Sequence, residues 1–286
     1  MSGLDPLTPS QTRAALEDLD HQPKRHLGQN FLIDANIVRK SIALAGPQPG
    51  EAVLEIGPGL GTLTRALLQC GVRLYAIEQD PVLCRHLENS LGSTPDFHLL
   101  EGDACREPLA GYRPSAAEPY LIVANLPYAI SSPWMEAVLE QPVLPRGIVI
   151  LVQKEMADRM TATTGSKAVG ALTIFLEGCY ERIPGHRVAR NCFFPAPKVD
   201  SVLFNLRLKP EPRRYLPETR KAVRDIFTQR RKQIGALIRQ YLPDPVGTAW
   251  RESLSSTKHR PEELSFQDWF ALDQAFRNHI GSPDST

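Results

Sequence analysis

The segment Asn125-Leu126-Pro127-Tyr128 combines an amide, a proline-stiffened backbone and an aromatic ring. The side-chain carbonyl of Asn125 and a main-chain carbonyl at Leu126 or Pro127 could each accept one N–H of an amine. The ring of Tyr128 could stack on a flat heterocycle that carries this amine. An ordinary strand-to-helix turn with a proline would have the same composition, so other parts of the chain must distinguish a site from a turn.

A glycine-rich turn, Gly57-Pro58-Gly59-Leu60-Gly61, follows the apolar segment that ends at Ile56. A strand, a glycine turn and a helix N-terminus in this order are typical of nucleotide sites. Glycines let the backbone approach the ligand, and the free amides of the helix point at it. Glu78 ends the next predicted strand about 20 residues later, where an acid accepts hydrogen bonds from ribose hydroxyls. These residues predict a nucleotide-like ligand.

The glycine spacing and its flanking acid distinguish between two kinds of ligand. The turn reads Gly-x-Gly-x-Gly, whereas pyrophosphate binders have Gly-x-Gly-x-x-Gly. Glu55 stands just before the turn, where it would repel a pyrophosphate but favour a ligand with an ammonium and a sulfonium. The pattern therefore favours S-adenosylmethionine over a dinucleotide as cofactor. Asp103, after the third predicted strand, could accept from the adenine amine of this cofactor, or it could cap the following turn.

A methyl donor makes adenine's exocyclic amine a candidate acceptor at Asn125. This amine is a poor nucleophile because its lone pair is delocalised, and two carbonyl acceptors would draw the nitrogen towards tetrahedral geometry. No dedicated general base is required, since the sulfonium is a strong methyl donor. Positioning and carbonyl dipoles would then provide most of the catalysis. The loop Asn191–Lys198 contains two rings and spaced prolines, and it would either pack on the domain or provide Phe193 as a second wall opposite Tyr128.

Composition and charge limit the class of protein. The chain has 286 residues, 42% of them hydrophobic, and no apolar run of membrane-spanning length. Residues 1–20 lack an apolar signal core, so we expect a cytoplasmic protein with no membrane association. Five cysteines without metal-ligand spacing predict reduced thiols and no metal site.

The order of apolar segments predicts an α/β domain, because strands buried on both faces read as continuous apolar runs. Predicted strands span residues 51–56, 73–77, 97–100, 120–124, 147–152, 180–183 and 199–208. We expect a Rossmann-like S-adenosylmethionine methyltransferase sheet within a catalytic domain at residues 24–209. A weakly ordered extension at 1–23, with at most one short helix, would precede it. A small, mostly helical domain would follow at 210–286.

The C-terminal domain carries a local excess of positive charge. Residues 213–239 contain nine Lys or Arg residues against two acidic residues, although the net charge of the chain is only +1. A single amphipathic helix is predicted at 217–241, with Arg230 inside its apolar stripe and therefore paired with an acid or a carbonyl at the domain junction. The basic flank would either contact a polyanion such as RNA or be a solvated face. Its predicted RNA contacts are Lys221, Arg224, Arg231 and Lys232.

Several motifs together resemble those of ribosomal RNA adenine N6,N6-dimethyltransferases. They are Gly28-Gln29-Asn30-Phe31-Leu32, Glu55-Ile56-Gly57-Pro58-Gly59-Leu60-Gly61, Ile77-Glu78, Gly102-Asp103-Ala104, Asn125-Leu126-Pro127-Tyr128, Phe193–Ser201 and Phe227–Lys232. The resemblance covers about residues 24–275, and the set is specific because the motifs occur in the family's order. Taken without the resemblance, the string Lys24–Leu32 could line a ligand with its amides or simply enter a helix as a capped loop.

The resemblance implies which residues bind the cofactor and the target base. With the residues reasoned out above, the predicted cofactor set is Gln29, Asn30, Leu32, Glu55, Gly57, Gly59, Gly61, Glu78, Asp103, Ala104 and Asn125. The predicted catalytic set is Asn125, Leu126, Pro127, Tyr128 and Phe193. The resemblance also implies a helical C-terminal domain that docks on an immature 30S-type ribosomal subunit, with the protein acting as a monomer.

Within this family the chain most resembles the branch that dimethylates two adjacent adenines in the 3′-terminal hairpin of small-subunit (16S) rRNA, late in subunit assembly. One alternative is a large-subunit rRNA adenine methyltransferase of the antibiotic-resistance type, which usually lacks the string Arg230-Arg231-Lys232. The other is a non-catalytic assembly or transcription factor. Ala168–Leu172 departs from the branch pattern, in which an aromatic residue and an arginine more often surround the glycine, and this argues against an RNA contact there.

Overall fold

The computed structural model describes residues 6–280. In that range the chain forms nine strands, seven of which coincide with the predicted ones. The strands are β1 Phe31–Leu32, β2 Ala52–Ile56, β3 Arg73–Glu78, β4 Phe97–Glu101, β5 Tyr120–Asn125, β6 Gly147–Gln153, β7 Tyr180–Val188, β8 Phe193–Phe194 and β9 Ser201–Leu208.

Eleven α-helices alternate with these strands or follow them within the described residues. They are α1 Pro9–Asp18, α2 Ala35–Ala45, α3 Thr62–Gln69, α4 Pro81–Leu91, α5 Ser131–Glu140, α6 Lys154–Met160, α7 Ala171–Cys179, α8 Pro217–Thr228, α9 Ile234–Tyr241, α10 Asp244–Ser253 and α11 Phe266–Ile280. Short 3₁₀ turns lie at Arg25–Leu27, Tyr128–Ile130, Arg190–Cys192 and Pro261–Glu263. Across residues 6–280, no helix has the length and apolar character needed to cross a bilayer.

The central sheet places its strands in the order β4-β3-β2-β5-β6-β9-β7, and β1 pairs separately with β8. Strands β4, β3, β2, β5 and β6 are parallel, whereas β9 is antiparallel to β6. The chain moves outwards from β2 to β4 and then returns to the other side of β2 as β5. The carboxyl ends of β2 and β5 therefore flank the point where the strand order reverses, which is where open α/β sheets bind ligands. The predicted Rossmann-like fold is confirmed.

The chain divides into two compact units. The first comprises the described part of Met1–Ala157 together with Arg182–Leu208, and the second comprises Asp158–Glu181 with the described part of Lys209–Thr286. The last of the three breaks, between Leu208 and Lys209, lies beside the predicted boundary at residue 210. The segment at 158–181, which was expected in the catalytic domain, instead lies in the helical unit. Its end is held there by backbone hydrogen bonds, including that from Arg213 N to Gly178 O at 2.8 Å.

Helix α1 packs more firmly than the expected weakly ordered extension. Thr8 caps the helix with its side chain, as in a capping box. Leu16 is buried in a cluster with Phe31, Leu60 and Leu83, so the helix contacts the glycine turn. Residues 9–18 therefore belong to the packed first unit. The expectation of disorder at 281–286 lies outside the described residues.

The predicted single helix at 217–241 is wrong, since α8 ends at Thr228 and α9 begins only at Ile234. The first amides of α9 find partners in a distant loop: Ile234 N donates to His259 O at 2.7 Å and Gly235 N to Thr257 O at 3.0 Å. Free amides at a helix start need such partners, and local periodicity does not reveal them. The predicted basic flank is therefore divided between α8 and the connecting turn.

Candidate functional site

A pocket lies in the first unit at the carboxyl ends of β2, β3 and β5. The structure brings together there most of the predicted residues, namely Gln29, Asn30, Leu32, Glu55, Gly57, Gly59, Glu78, Ala104, Asn125, Leu126, Pro127 and Tyr128. Gly61, Asp103 and Phe193 lie outside its lining. The pocket is built from the glycine turn on one side, the segment before α2 on another, and the turn after β5 on the third.

The glycine turn needs glycine for close approach of neighbouring segments as well as for backbone conformation. Gly57 and Gly59 have φ values of +68° and +61°, which side chains rarely adopt. A Cβ on Gly57 would lie 3.1 Å from Cγ of Pro127, and one on Gly59 would lie 3.0 Å from the ring of Phe31. The turn therefore holds both the Asn125–Tyr128 segment and the N-terminal segment against the pocket.

Glu78 fixes the same turn through its carboxylate. One oxygen accepts from Gly59 N at 3.1 Å, and the other accepts from Gln79 N and Asp80 N at 2.9 Å each. Burial raises the pKa of Glu78, although these three amide donors oppose the rise. A carboxylate has about four acceptor positions. About one acceptor position, on Oε2, therefore remains for a ribose hydroxyl of the ligand that the sequence predicts.

Glu55 is a buried acid whose second oxygen lacks a protein partner. Its side chain is 1% exposed, and among the described residues no donor reaches Oε2. Burial raises the pKa of Glu55 to about 8, while the nearby Thr64 hydroxyl lowers it and the charge of Glu78 adds to the rise. An unpartnered carboxylate at a pocket wall costs free energy unless a cationic group arrives. The site therefore fits a cofactor with an ammonium and a sulfonium.

The amide of Asn125 has a defined orientation. Its Nδ2 donates to the main-chain carbonyl of Asn30 at 2.8 Å, and within residues 6–280 no donor reaches its Oδ1. The carbonyl of Pro127 already accepts from Ile130 N and from the Ser131 hydroxyl. The carbonyl of Leu126 has no such donor in the described part of the chain. Of the two predicted main-chain acceptors, Leu126 is therefore the one whose carbonyl is left available by the described residues, and its contact with a target amine stays a prediction.

A hydrogen bond of its hydroxyl group holds Tyr128 in place. The hydroxyl lies 2.6 Å from Oγ of Ser201, which is fully buried at the start of β9. Burial raises the pKa of Tyr128, and the hydrogen bond with Ser201 opposes this rise. A buried phenol usually finds a partner of this kind. The arrangement fixes the ring beside Asn125.

Phe193 does not share the pocket with Tyr128 in this structure. Its side chain is 2% exposed and packs in a hydrophobic cluster that includes Leu32, and its backbone pairs with Leu32 across β1 and β8. The neighbouring Phe194 is only partly buried, and the guanidinium of Arg13 lies 5.4 Å from its ring centroid. The contact of Phe193 with a target base stays a prediction.

Asp103 shows the capping role that its position also predicted. Its Oδ1 accepts from Cys105 N at 2.8 Å, so this oxygen stabilises the turn after β4. The flanking Gly102 and Ala104 line the pocket. Contact of Asp103 with the adenine of a cofactor stays a prediction that would use its other oxygen.

The predicted RNA-binding residues differ in their surroundings. On α8, Lys221 is exposed, and its Nζ lies 2.7 Å from Oδ2 of Asp225. Arg224 is half-buried, with its guanidinium carbon 5.7 Å from the ring centroid of Phe175. These contacts reduce what either cation can offer to a polyanion.

The turn between α8 and α9 presents its cations more openly. Arg231 and Lys232 are exposed, and Lys232 Nζ makes one long contact of 3.3 Å with Oε1 of Gln240. Arg230 Nη2 lies 3.7 Å from Oε1 of Glu262, so the predicted pairing with an acid is confirmed, but both residues belong to the second unit and not to a domain junction. Within the described residues no group of side chains could hold a metal ion.

Sequence reasoning missed two buried residues that support the site. Ser201 anchors Tyr128, and Asp80 accepts from Gln29 Nε2 at 2.9 Å. The signal for Asp80 was its place before Pro81, which is typical of an N-cap and indicates nothing about Gln29.

Comparison with known proteins shows similarity over almost the whole chain. The ribosomal RNA adenine dimethylase family matches residues 20–270. A protein of Opitutus terrae named ribosomal RNA small subunit methyltransferase A is 51% identical over 273 residues, covering 93% of this chain and 98% of its own. A Synechococcus protein of the same name is 38% identical over 264 residues, covering 87% and 91%.

Two solved structures show the same fold over 87% of this chain. A dimethyladenosine transferase from Plasmodium falciparum is 25% identical, with a TM-score of 0.72 and 98% of its own chain covered. The 23S rRNA methyltransferase ErmE is 26% identical, with a TM-score of 0.63 and 100% of its chain covered.

Proposed function

The chain belongs to the ribosomal RNA adenine dimethylase family, and we propose that its substrate is the RNA of the small ribosomal subunit. Membership makes it an S-adenosylmethionine-dependent rRNA adenine dimethyltransferase. The choice of subunit is supported by the curated relatives, which carry the name ribosomal RNA small subunit methyltransferase A. We further propose two adjacent adenines of the 3′-terminal hairpin as targets, in an immature 30S-type particle, with the enzyme acting as a cytoplasmic monomer.

The orientation of Asn125 is the observation that best supports adenine methylation. The hydrogen bond from its Nδ2 to the Asn30 carbonyl fixes the amide so that Oδ1, an acceptor, is available for one N–H of the target amine. The Leu126 carbonyl would accept the second. Bound S-adenosylmethionine supplies an electrophilic methyl group on its sulfonium. Glu55 and Glu78 would hold the charged and ribose ends of this donor, and carbonyls preorganised in this way stabilise positive charge that develops on the amine.

The adenine must leave its base stack to reach this pocket, at a cost of a few kcal/mol. Stacking on Tyr128 would offset part of this cost, since base–aromatic stacking contributes about 1–3 kcal/mol per base. The proton released on methylation can leave to solvent, so no residue is assigned as a general base. Positioning therefore dominates the mechanism.

Labelling of ribosomal particles tests the proposal. Immature small subunits and large-subunit rRNA would be incubated separately with the protein and methyl-labelled S-adenosylmethionine, and the modified nucleosides would be identified. We expect N6,N6-dimethyladenosine in small-subunit rRNA. Label only in large-subunit rRNA would select the large-subunit alternative, the class of substrate named for the 23S rRNA methyltransferase ErmE. Absence of label from both would favour a non-catalytic assembly or transcription factor.

Removing the Tyr128 hydroxyl should reduce turnover less than removing the ring. Tyr128→Phe loses the hydrogen bond to Ser201 but keeps the stacking surface, so we expect kcat to fall by about tenfold or less. Tyr128→Ala should also lose the stacking energy of about 1–3 kcal/mol. Ser201→Ala should reproduce the effect of Tyr128→Phe, and the double variant should add little, because both remove one contact. Additive losses would show that the two side chains act separately.

The exposed cations after α8 should set the salt dependence of subunit binding. Replacing Arg231 and Lys232 with glutamine should weaken binding, and each lost phosphate contact should lower the log–log salt slope by about 0.7–0.9. Arg251 and Lys258, which are also exposed in the second unit, provide a control pair with the same change in charge. An equal change of slope in both pairs would show that only net charge matters.

A further inference from the structure

The buried carboxylate of Asp80 contacts several side chains of the N-terminal segment that lines the pocket. Asp80 is 0% exposed, and its Oδ2 accepts from Gln29 Nε2 and from Lys24 Nζ, each at 2.9 Å. His21 Nε2 lies 3.6 Å from the same oxygen and 3.0 Å from Oε1 of Gln29. Gln29 Oε1 also accepts from Lys24 N at 2.7 Å. Three side chains from residues 21–29 therefore converge on one acceptor.

This cluster lies between Glu78, which is predicted to bind the donor, and Asn125, which is predicted to bind the target amine. Asp80 stands two residues after Glu78, and its own amide donates to the Glu78 carboxylate. Asn30, next to Gln29, provides the carbonyl that accepts from Nδ2 of Asn125. Residues 26–32 form one wall of the pocket. Asp80 therefore bonds directly to Glu78, the acid predicted to bind the ribose. Through Gln29 it also holds the segment whose Asn30 carbonyl accepts from the Asn125 amide.

We propose that Asp80 is a positioning residue of the methyl-transfer reaction, which holds residues 24–30 so that the Asn30 carbonyl orients the Asn125 amide and the segment closes on the donor. The inference rests on the proposed function, because the donor and the amide are those of the dimethyltransferase reaction. The charge of the carboxylate favours this role. Burial alone would raise the pKa of Asp80, but hydrogen bonds from Lys24 and Gln29 lower it below its usual value.

Asp80 also caps α4, and the test must separate this role from positioning. Its Oδ1 accepts from Val82 N at 3.1 Å, as in an ordinary N-cap. Serine is an equally good N-cap, but its uncharged hydroxyl has only two acceptor positions, so a serine that caps Val82 N cannot also accept from both Lys24 and Gln29. Asp34 caps α2 in the same way, with Oδ1 accepting from Asn36 N at 2.8 Å. Asp34→Ser therefore makes the same substitution at a cap without the cluster.

The experiment compares Asp80→Ser, Asp34→Ser and the full-length wild-type protein. The Kd for S-adenosylmethionine is measured by titration calorimetry without RNA, and kcat is measured on immature small subunits at saturating donor. For Asp80→Ser we expect Kd to rise about tenfold and kcat to fall about 10- to 100-fold, because a misplaced catalytic group is costly even at small displacements. Asp34→Ser should change neither value by more than about twofold.

A second variant, Gln29→Met, tests the same proposal if Asp80→Ser does not fold. Gln29→Met removes the hydrogen bonds to Asp80 but preserves side-chain length, and it should lower kcat in the same direction. If both aspartate variants lose thermal stability equally and keep wild-type kcat and Kd, Asp80 is only a cap and the inference is overturned. A folded Gln29→Met with wild-type kcat would overturn it too. A wild-type protein that binds the donor but labels no small subunit would instead refute the proposed function. In that case the Kd of Asp80→Ser for S-adenosylmethionine, compared with the wild-type Kd, would still test the role of Asp80 in holding the donor site.

Discussion

Asn125→Ala is expected to lower kcat for methyl transfer by about 10²- to 10³-fold, the usual effect of removing one preorganised polar group from a transition state. The variant loses the Oδ1 acceptor, so the target nitrogen keeps its planar, poorly nucleophilic form. Binding to the ribosomal subunit should be unchanged, since the side chain lies inside the pocket. Single-turnover methylation and a filter-binding assay on the same subunits would measure the two properties separately.

Two further variants sharpen this prediction. Asn125→Asp retains an acceptor but places an oxygen against the Asn30 carbonyl, where Nδ2 now donates. We expect it to be as inactive as the alanine variant, because orientation is lost. Asn89→Ala removes an exposed asparagine from α4 and serves as the control. Wild-type activity in Asn125→Ala would eliminate the carbonyl-acceptor mechanism.

Glu55→Gln is expected to make the donor-free protein more stable and the donor bind more weakly. The pKa of Glu55 is raised to about 8, so the folded protein holds this proton at a pH where the unfolded chain has lost it. The wild-type free energy of unfolding therefore falls as pH rises from the ordinary carboxyl pKa through about 8, by at most about 1.4 kcal/mol per pH unit. Glutamine has no proton to lose, so the variant avoids this decrease.

The same substitution should reduce affinity for S-adenosylmethionine by roughly 30-fold or more, since losing one partner of a buried ion pair costs about 2–5 kcal/mol. Wild-type affinity should increase as pH rises towards about 8, because the cationic donor selects the ionised form of Glu55. The affinity of the variant should lack this component. Glu78 also has a raised pKa, so only the difference between wild type and variant reports on Glu55.

Urea unfolding and titration calorimetry at pH 5, 6.5 and 8 would measure both effects. Glu88→Gln, an exposed substitution on α4, is the matched control and should change neither. If Glu55→Gln gains stability without losing affinity for S-adenosylmethionine, Glu55 is a buried core residue that does not bind the donor. No stability gain at pH 8 would show that folding does not raise the pKa of Glu55.

Local patterns were sufficient for much of the fold and for most of the pocket. Continuous apolar runs indicated the central strands β2, β5 and β6, whose residues are almost all buried, and alternation of apolar residues indicated β9. Gly57 and Gly59 were identified because positive φ angles favour glycine whatever surrounds them. Periodicity failed at 217–241, where the helix break depends on His259 and Thr257, which accept the first amides of α9.

The chemistry of the site was thus readable in the residue types, whereas its geometry depends on contacts between distant parts of the chain. Asn125 is bonded to a carbonyl 95 residues away and Gln29 to a carboxylate 51 residues away. Folding also buried Phe193 and occupied the Pro127 carbonyl, whereas no donor from residues 6–280 reaches the carbonyl of Leu126. Motifs reflect the chemical groups that a reaction needs. Their orientation follows from strand order and packing, which bring together residues that share no local pattern.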